Sequence, residues 1–102
     1  MSLGSGTISI RRRSRLGKTY LIHLKLNEGR ISEFTLSGDF FAYPAELLDE
    51  IRERAVGLEP SKFIDMIELK MKEVELAGVD KKEIIETIRE LLSPYQQSLR
   101  RT

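Results

Sequence analysis

The chain has 102 residues, a length that predicts one compact domain with a single modest core. The absence of cysteine excludes disulfide frameworks, thiolate metal sites and thiol nucleophiles, and a single histidine, His23, excludes multi-imidazole metal sites. Hydrophobic residues make up 40% of the chain and charged residues 32%, which is typical of globular domains, and no apolar run is long enough for a membrane span. We therefore predict a cytoplasmic protein with no membrane partner and no metal site.

The net charge of +1 conceals two parts of opposite sign. Residues 1–30 contain seven Lys and Arg residues against Glu28 alone, a balance of +6, whereas residues 31–102 contain ten basic and fifteen acidic residues, a balance of −5. This asymmetry predicts one basic and one acidic surface, either of which could meet a partner of opposite charge. A solvated helical surface rich in Glu and Lys explains the acidic part equally well.

Three strands are predicted in the first half of the chain. Residues 7–13, 18–26 and 31–37 alternate apolar and polar side chains with the period of two that indicates half-buried strands. A turn over residues 27–30 joins the second strand to the third, and Asn27 and Gly29 are expected to supply its positive φ angles. These segments predict a small antiparallel sheet with one apolar face that must be covered.

Three helices are predicted to follow, because apolar residues then recur every three or four positions. The first is expected to begin at Pro44 and end before Gly57, and the second to run from Pro60 to Gly78. The third begins after Asp80, which has capping-box spacing to Glu83, and is expected to stop at Ser93-Pro94. The predicted fold is therefore α+β, a three-stranded antiparallel sheet followed by three helices packed on one face. Residues 1–6 are expected to be a disordered leader or an artificial extension, residues 7–93 a single domain, and residues 94–102 a C-terminal tail.

The connection between the third strand and the first helix, residues 37–44, carries the strongest functional signal. Gly38 and Asp39 are followed by Phe40 and Phe41, which places aromatic rings around a carboxylate. One interpretation is that the rings fill the sheet–helix interface while Asp39 accepts backbone donors. The other is that one ring and Asp39 face a partner or a ligand, since clustered aromatic side chains are common interaction anchors.

His23 and the arginine run of residues 11–15 are two other candidate functional features. His23 is expected on the outward face of the second strand, and the sequence names no carboxylate or imidazole partner for it, so no catalytic residue is predicted. The arginines at positions 11, 12, 13 and 15 suggest phosphate neutralisation, which makes a small basic nucleic-acid-binding module the alternative function. No base-stacking aromatic residues are interleaved with these arginines, so the sequence argues against nucleic acid as the partner.

Several of these motifs together resemble the accessory domain of lipoate–protein ligases. The resemblance covers about residues 15–75. It rests on Gly17-Lys18 entering a strand, Gly29 in the turn, Ile31 opening the next strand, the block Ser37-Gly38-Asp39-Phe40-Phe41, Pro44, and a helix closing at Gly57. Leu16 stands where many relatives have a second glycine. In many bacterial ligases this domain is the C-terminal part of one chain, and in archaeal and some other systems it is a separate small subunit.

The resemblance implies an accessory subunit of an ATP-dependent, two-component lipoate–protein ligase that is inactive alone. The implied partner is the catalytic subunit and, indirectly, the lipoyl domains of 2-oxoacid dehydrogenase or glycine cleavage proteins. ATP, Mg and lipoate are expected only in the complex, where lipoate is activated to lipoyl-AMP. The candidates for facing the partner or the adenylate are Lys18, Gly38, Asp39, Phe40 and Phe41, and Lys18 is expected to supply positive potential near phosphate.

Overall fold

The computed structural model describes residues 5–100, with side chains described for residues 5–95. Three long strands form one antiparallel sheet in the order β1-β2-β3, and two short strands, β4 and β5, pair with each other as a second sheet. The elements in chain order are β1 (Gly6–Arg13), β2 (Thr19–Asn27), β3 (Arg30–Gly38), β4 (Phe41–Tyr43), α1 (Glu46–Ala55), α2 (Pro60–Met71), β5 (Glu75–Ala77) and α3 (Lys81–Arg100).

The α+β fold class predicted from the sequence is confirmed. Helices cover one face of the three-stranded sheet, and the core lies between them. Phe34 of β3 and Phe63 of α2 join the two layers, with ring centroids 5.0 Å apart in an edge-to-face contact. The inward residues of β2 are all buried in this core: Tyr20, Ile22, Leu24 and Leu26.

The hairpin between β2 and β3 closes through Glu28 and Gly29, whose φ angles are 53° and 82°. The prediction that Asn27 supplies a positive φ angle is wrong, because Asn27 still pairs with Arg30 as the last residue of β2. A two-residue loop of this kind needs positive φ at both central positions. The positive φ angle therefore falls on Glu28 rather than on Asn27.

The register of the hairpin shifts by one residue next to the turn. Leu26 pairs with Ile31 and Lys25 with Glu33, which leaves Ser32 as the extra residue of a β-bulge. Ser32 uses its hydroxyl to donate to the carbonyl oxygen of Lys25 at 3.1 Å. Because of this extra residue, Ile31 faces the core although an odd number of positions separates it from the core-facing Phe34.

Three predicted helix boundaries are wrong. Helix α1 begins at Glu46, two residues after Pro44, which follows a cis peptide bond and offers its carbonyl oxygen to the Leu47 N–H at 3.1 Å. Helix α2 ends at Met71 rather than at Gly78, because residues 75–77 leave the helix and pair with β4. Helix α3 continues past Ser93-Pro94 to Arg100 and contains Pro94 at an exposed position, although an interior proline removes one helical hydrogen bond.

The structure describes part of the predicted leader and part of the predicted C-terminal tail. Strand β1 begins at Gly6, within the stretch expected as a leader, and the hydroxyl of Ser5 accepts the N–H of Glu28 at 2.9 Å. Residues 1–4 of the predicted leader and residues 101–102 of the predicted tail lie outside the described residues. Within the part of the chain that the structure describes, no helix is long and apolar enough to cross a membrane.

Candidate functional site

The loop between β1 and β2 is fastened to the first turn of α3 by Ser14, whose side chain is 2% exposed. The Ser14 hydroxyl donates to Glu83 Oε1 at 2.8 Å and accepts the N–H groups of Leu16 at 3.2 Å and Asp80 at 3.1 Å. Asp80 caps the helix as predicted, since its Oδ1 accepts the Lys82 N–H at 2.9 Å. In a capping box Glu83 would accept the Asp80 N–H directly. Here the Ser14 hydroxyl lies between them, because it accepts the Asp80 N–H and donates to Glu83.

Arg15 adds an ion pair to the same junction. Its guanidinium donates to Asp80 Oδ2 from Nε at 2.9 Å and from a terminal nitrogen as well. The hydrogen bond from Arg15 lowers the pKa of Asp80, with smaller contributions from the backbone N–H groups of the helix start. The loop of residues 14–18 is therefore held against α3 at two points.

The predicted candidate Lys18 lies at the end of this loop. Its N–H donates to the carbonyl oxygen of Gly78 at 3.0 Å, and its side-chain carbons cover the Cα of Gly78. A methyl group at Gly78 would approach the Lys18 Cβ to 3.0 Å, so the two residues are in close contact. Lys18 is otherwise exposed. Its position is thus fixed by backbone contacts while its ammonium group is accessible to solvent or to a partner.

Gly38 and Asp39 tie the end of β3 to the start of β2. Gly38 has a φ angle of +152°, and a Cβ there would lie 3.0 Å from the Tyr20 Cα and still closer to the Thr19 carbonyl oxygen. Asp39 donates its N–H to the Thr19 carbonyl oxygen at 3.3 Å, and its Oδ1 accepts the Thr19 N–H at 2.8 Å. Of the two interpretations of Asp39, the structure shows the backbone-accepting one, although the residue is exposed.

The three aromatic residues of this segment occupy two different environments. Phe40 is half-buried against the core, whereas Phe41 is 79% and Tyr43 is 77% exposed. Both exposed residues belong to β4, where successive side chains alternate between faces, so their rings share the outward face and Ala42 points inward. The sequence candidates include Phe41 but not Tyr43. A strand over residues 41–43 would place Phe41 and Tyr43 on the same face, and this alternation is the sequence signal that could have identified Tyr43.

We call the region of Phe41, Tyr43 and Lys18 the aromatic end, because β4 pairs with β5 and Lys18 lies over the residue that follows β5. Phe41 pairs with Ala77 across the short sheet, and Ala77 is followed by Gly78, over which Lys18 lies. Asp39 also belongs to this end, because it is bonded to the residue after Lys18. The structure therefore brings Lys18, Asp39 and Phe41 into one region, leaves Phe40 half-buried against the core, and gives Gly38 a close backbone contact.

The arginine run does not form a continuous basic strip. Arg12 faces α3, where it donates to Thr87 Oγ1 at 3.2 Å and lies 3.7 Å from Glu90. Arg13 donates to the carbonyl oxygen of Gly17 at 3.2 Å, and Arg15 is paired with Asp80. These intramolecular contacts hold three of the four arginines to different parts of the chain, which does not favour the nucleic-acid alternative.

His23 has the partners that the sequence did not identify. Its Nδ1 lies 2.8 Å from the Ser9 hydroxyl, and its Nε2 lies 2.9 Å from Glu33 Oε1. Glu33 stands diagonally across from His23 on β3, a neighbour that the strand register reveals and the linear sequence does not. Among the described residues, no group of three or more His, Asp or Glu side chains could hold a metal ion.

No protein-family model matches this chain, and no curated protein sequence matches it. A solved structure is similar to it: a chain of an archaeal lipoylation system from Thermoplasma acidophilum, which comprises a bi-partite lipoate protein ligase and its E2 lipoyl domain. The TM-score is 0.70 at 23% sequence identity, and the match covers 84% of this chain and 98% of that chain. At this level of identity, the likeness shows that the two chains share a fold.

Proposed function

We propose that this chain is the accessory subunit of a two-component lipoate–protein ligase. In this role it acts with a catalytic subunit in the ATP-dependent activation of lipoate to lipoyl-AMP and has no ligase activity alone. The observation that carries the proposal is the fold likeness to a chain of a bi-partite lipoate protein ligase system, which extends over 98% of that chain. The resemblance of residues 15–75 to the accessory domain of lipoate–protein ligases rests on sequence motifs alone and supports the same proposal.

The aromatic end is the surface proposed to contact the catalytic subunit. Phe41 and Tyr43 present two large rings to solvent on one short strand, each more than three-quarters exposed. Exposed aromatic side chains on a rigid element are typical anchors of protein interfaces, because they bury much apolar area at little cost in conformational entropy. The pairing of β4 with β5 fixes the backbone that carries both rings before binding.

Charged groups at the same end would orient the complex. The backbone of Lys18 and the first carbons of its side chain are held against Gly78, while the rest of this exposed side chain can reach a partner. In the proposed complex this cation lies near the phosphates of the adenylate, where it stabilises developing negative charge. Asp39 uses only one carboxylate oxygen for Thr19, which leaves the other for a basic group of the catalytic subunit.

The substrates of the proposed reaction belong to the complex rather than to this chain. ATP, Mg and lipoate would bind on the catalytic subunit, and the lipoyl domains of 2-oxoacid dehydrogenase or glycine cleavage proteins would receive the lipoyl group from it. The accessory subunit would act by closing over the site and excluding water from the activated acyl group.

Reconstitution tests this function. The catalytic subunit from the same organism is incubated with ATP, Mg and lipoate, with and without this chain, and lipoyl-AMP is measured by chromatography. We expect little lipoyl-AMP from either protein alone and a stimulated rate from the mixture. An unchanged rate, together with the absence of a complex on gel filtration, would contradict the proposal.

The contribution of Lys18 is tested in the same assay. The Lys18→Ala variant should lower the rate of lipoyl-AMP formation by about tenfold or more, since a lost electrostatic contact to transition-state charge costs this much or more. The matched control is Lys25→Ala, which removes an exposed lysine from the open face of the sheet. Equal effects of the two variants would show that only net charge matters and would remove Lys18 from the proposed site.

A further inference from the structure

A chain of hydrogen bonds crosses the uncovered face of the three-stranded sheet. It joins Ser9 of β1, His23 of β2 and Glu33 of β3, with 2.8 Å between the Ser9 hydroxyl and Nδ1 and 2.9 Å between Nε2 and Glu33 Oε1. Ser9 stands directly opposite His23 in the strand register, and Glu33 stands one diagonal step away. Each side chain is thus placed by a rigid strand rather than by a loop.

The chemistry of Glu33 determines the role of the imidazole. An ionised carboxylate only accepts hydrogen bonds, so Nε2 must carry the hydrogen that is shared with Glu33. In the neutral ring Nδ1 is then an acceptor, and the Ser9 hydroxyl is the donor to it. The order is that of a nucleophile, a base and a carboxylate that orients the base.

The surroundings leave room for a small substrate. Ser9 and His23 line a depression of about 360 Å³, near the small end of ligand sites, and both reach its surface. Leu21 and Arg11 line the same depression and provide an apolar surface and a cation, respectively. Thr35 and Ser37 add hydroxyl groups on the side of β3. His23 itself is 36% exposed, so its ring is accessible and still partly covered.

We propose that Ser9 is the nucleophile of a second, hydrolytic site that takes small uncharged activated esters. The Ser9 oxygen bonds to the ester carbonyl carbon while its proton moves to His23 Nδ1. The carbon–oxygen bond of the leaving group then breaks, and the alcohol departs with that proton. Water then bonds to the acyl carbon while it gives a proton to Nδ1, the bond between that carbon and the Ser9 oxygen breaks, the carboxylic acid leaves, and the proton returns from Nδ1 to Ser9. Glu33 acts as a positioning residue, and the guanidinium of Arg11, which lines the same depression, is the group proposed to stabilise the carbonyl oxygen.

The test uses the full chain and p-nitrophenyl acetate. Release of nitrophenolate is followed by absorbance, and peptide mapping by mass spectrometry locates the acetyl group. We expect the acetyl group on Ser9, and a rate lowered by about 100-fold in Ser9→Ala, as for the loss of a nucleophile assisted by a general base. Thr7→Ala, which removes an exposed hydroxyl from the same face of β1 but outside the depression, should retain the parent rate.

Glu33 is tested by a spectroscopic measurement as well as by rate. In Glu33→Gln the ring ¹⁵N shifts of His23 should move away from those of a single Nε2–H tautomer, and ester hydrolysis should slow. Acetylation of His23 or of a lysine instead of Ser9, or an undiminished rate in Ser9→Ala, would overturn the proposal. Should Ser9→Ala fail to fold by circular dichroism, the position of the acetyl group in the parent decides the question. Unchanged ¹⁵N shifts and rate in Glu33→Gln would overturn the role of Glu33.

Discussion

At the scale of single residues, the structure explains why position 38, at the end of β3, is a glycine. The chain passes so close to β2 there that the Thr19 carbonyl oxygen occupies the space of a side chain. The φ angle of +152° is also one that residues with a side chain rarely adopt. The sequence identified Gly38 as part of a functional block, and the contact with Thr19 supplies a structural reason for the same residue.

Gly38→Ala should destabilise the protein by roughly 2 kcal/mol or more, because the new methyl group clashes with backbone atoms that cannot move independently. Chemical denaturation in urea measures the change in the free energy of unfolding. Gly57→Ala is the matched control, since its φ angle of +91° is also positive but no atom lies within 4 Å of the added Cβ. It should lose only about 1 kcal/mol. Equal losses in both variants would show that the close approach to Thr19 is unimportant.

Asp39 gives a second prediction at the residue scale. Asp39→Ala should cost about 1 kcal/mol of the free energy of unfolding, because the Thr19 N–H loses its acceptor and turns to water. Asp39→Asn keeps an acceptor oxygen and should remain close to the parent. Thermal and urea unfolding of the two variants make the comparison. A loss of unfolding free energy in Asp39→Asn as large as that in Asp39→Ala would contradict the proposed role of the Asp39 carboxylate as a hydrogen-bond acceptor.

At the scale of elements, the junction of the first loop with α3 organises the aromatic end. Ser14 is buried with all of its polar contacts supplied by the loop and by the first turn of the helix. The sequence predicted the helix cap at Asp80 because capping spacing is local. It did not predict the relay through Ser14, because the partner of Glu83 is 69 residues away in sequence.

Ser14→Ala should lower the free energy of unfolding by about 1–3 kcal/mol, since the part-buried N–H groups of Leu16 and Asp80 and the Glu83 carboxylate lose their partner. Hydrogen exchange at the Leu16 and Asp80 amides should accelerate at the same time. Ser37→Ala, at an exposed serine, should change neither quantity. Parent-like exchange at both amides in Ser14→Ala would show that the relay does not hold the loop.

The same junction gives a pH dependence with a definite sign. The hydrogen bond from Arg15 lowers the pKa of Asp80 in the folded state below the ordinary value of about 3.9. As the pH falls, the unfolded chain therefore takes up this proton first, and the stabilisation is complete above about pH 5 and lost on acidification below about pH 4.

Asp80→Asn tests this sign, because asparagine can still cap the helix but carries no charge. The difference in Tm between parent and variant should be largest above about pH 5 and shrink towards pH 3. The pKa of Glu50, lowered by its hydrogen bond to Lys70, is common to both proteins and cancels in the comparison. A difference in Tm that stays constant over this range would contradict the account.

At the scale of the whole molecule, local sequence patterns predict the fold class. Strand β5, the His23 network and the exposure of Tyr43 depend instead on pairing between distant segments. The three strands and three helices follow from hydrophobic periods, which report burial directly. The sequence predicts a helix over residues 75–77, because they continue an apolar spacing, and only their pairing with β4 makes them strand β5. The His23 network and the exposure of Tyr43 likewise depend on strand register, which one sequence does not specify.

The two oppositely charged parts of the sequence meet within the molecule. Arg12 lies 3.7 Å from Glu90, and Arg15 is paired with Asp80, so part of the basic N-terminal segment is held against the acidic helix α3. These two arginines are therefore paired with acidic residues of the C-terminal part, where the oppositely charged parts meet. The groups of the aromatic end that remain exposed are the two rings of Phe41 and Tyr43 and the side chain of Lys18.

The affinity of this chain for the catalytic subunit, measured by isothermal titration calorimetry, tests the central claim most directly. We predict that Phe41→Ser combined with Tyr43→Ser weakens binding by at least about 30-fold, the factor that corresponds to about 2 kcal/mol for interface anchors. Leu69→Ser, at an exposed apolar residue of α2 that is 62% accessible, should bind like the parent. Parent-like affinity of the double variant, or an equal loss in Leu69→Ser, would contradict the assignment of the aromatic end as the docking surface.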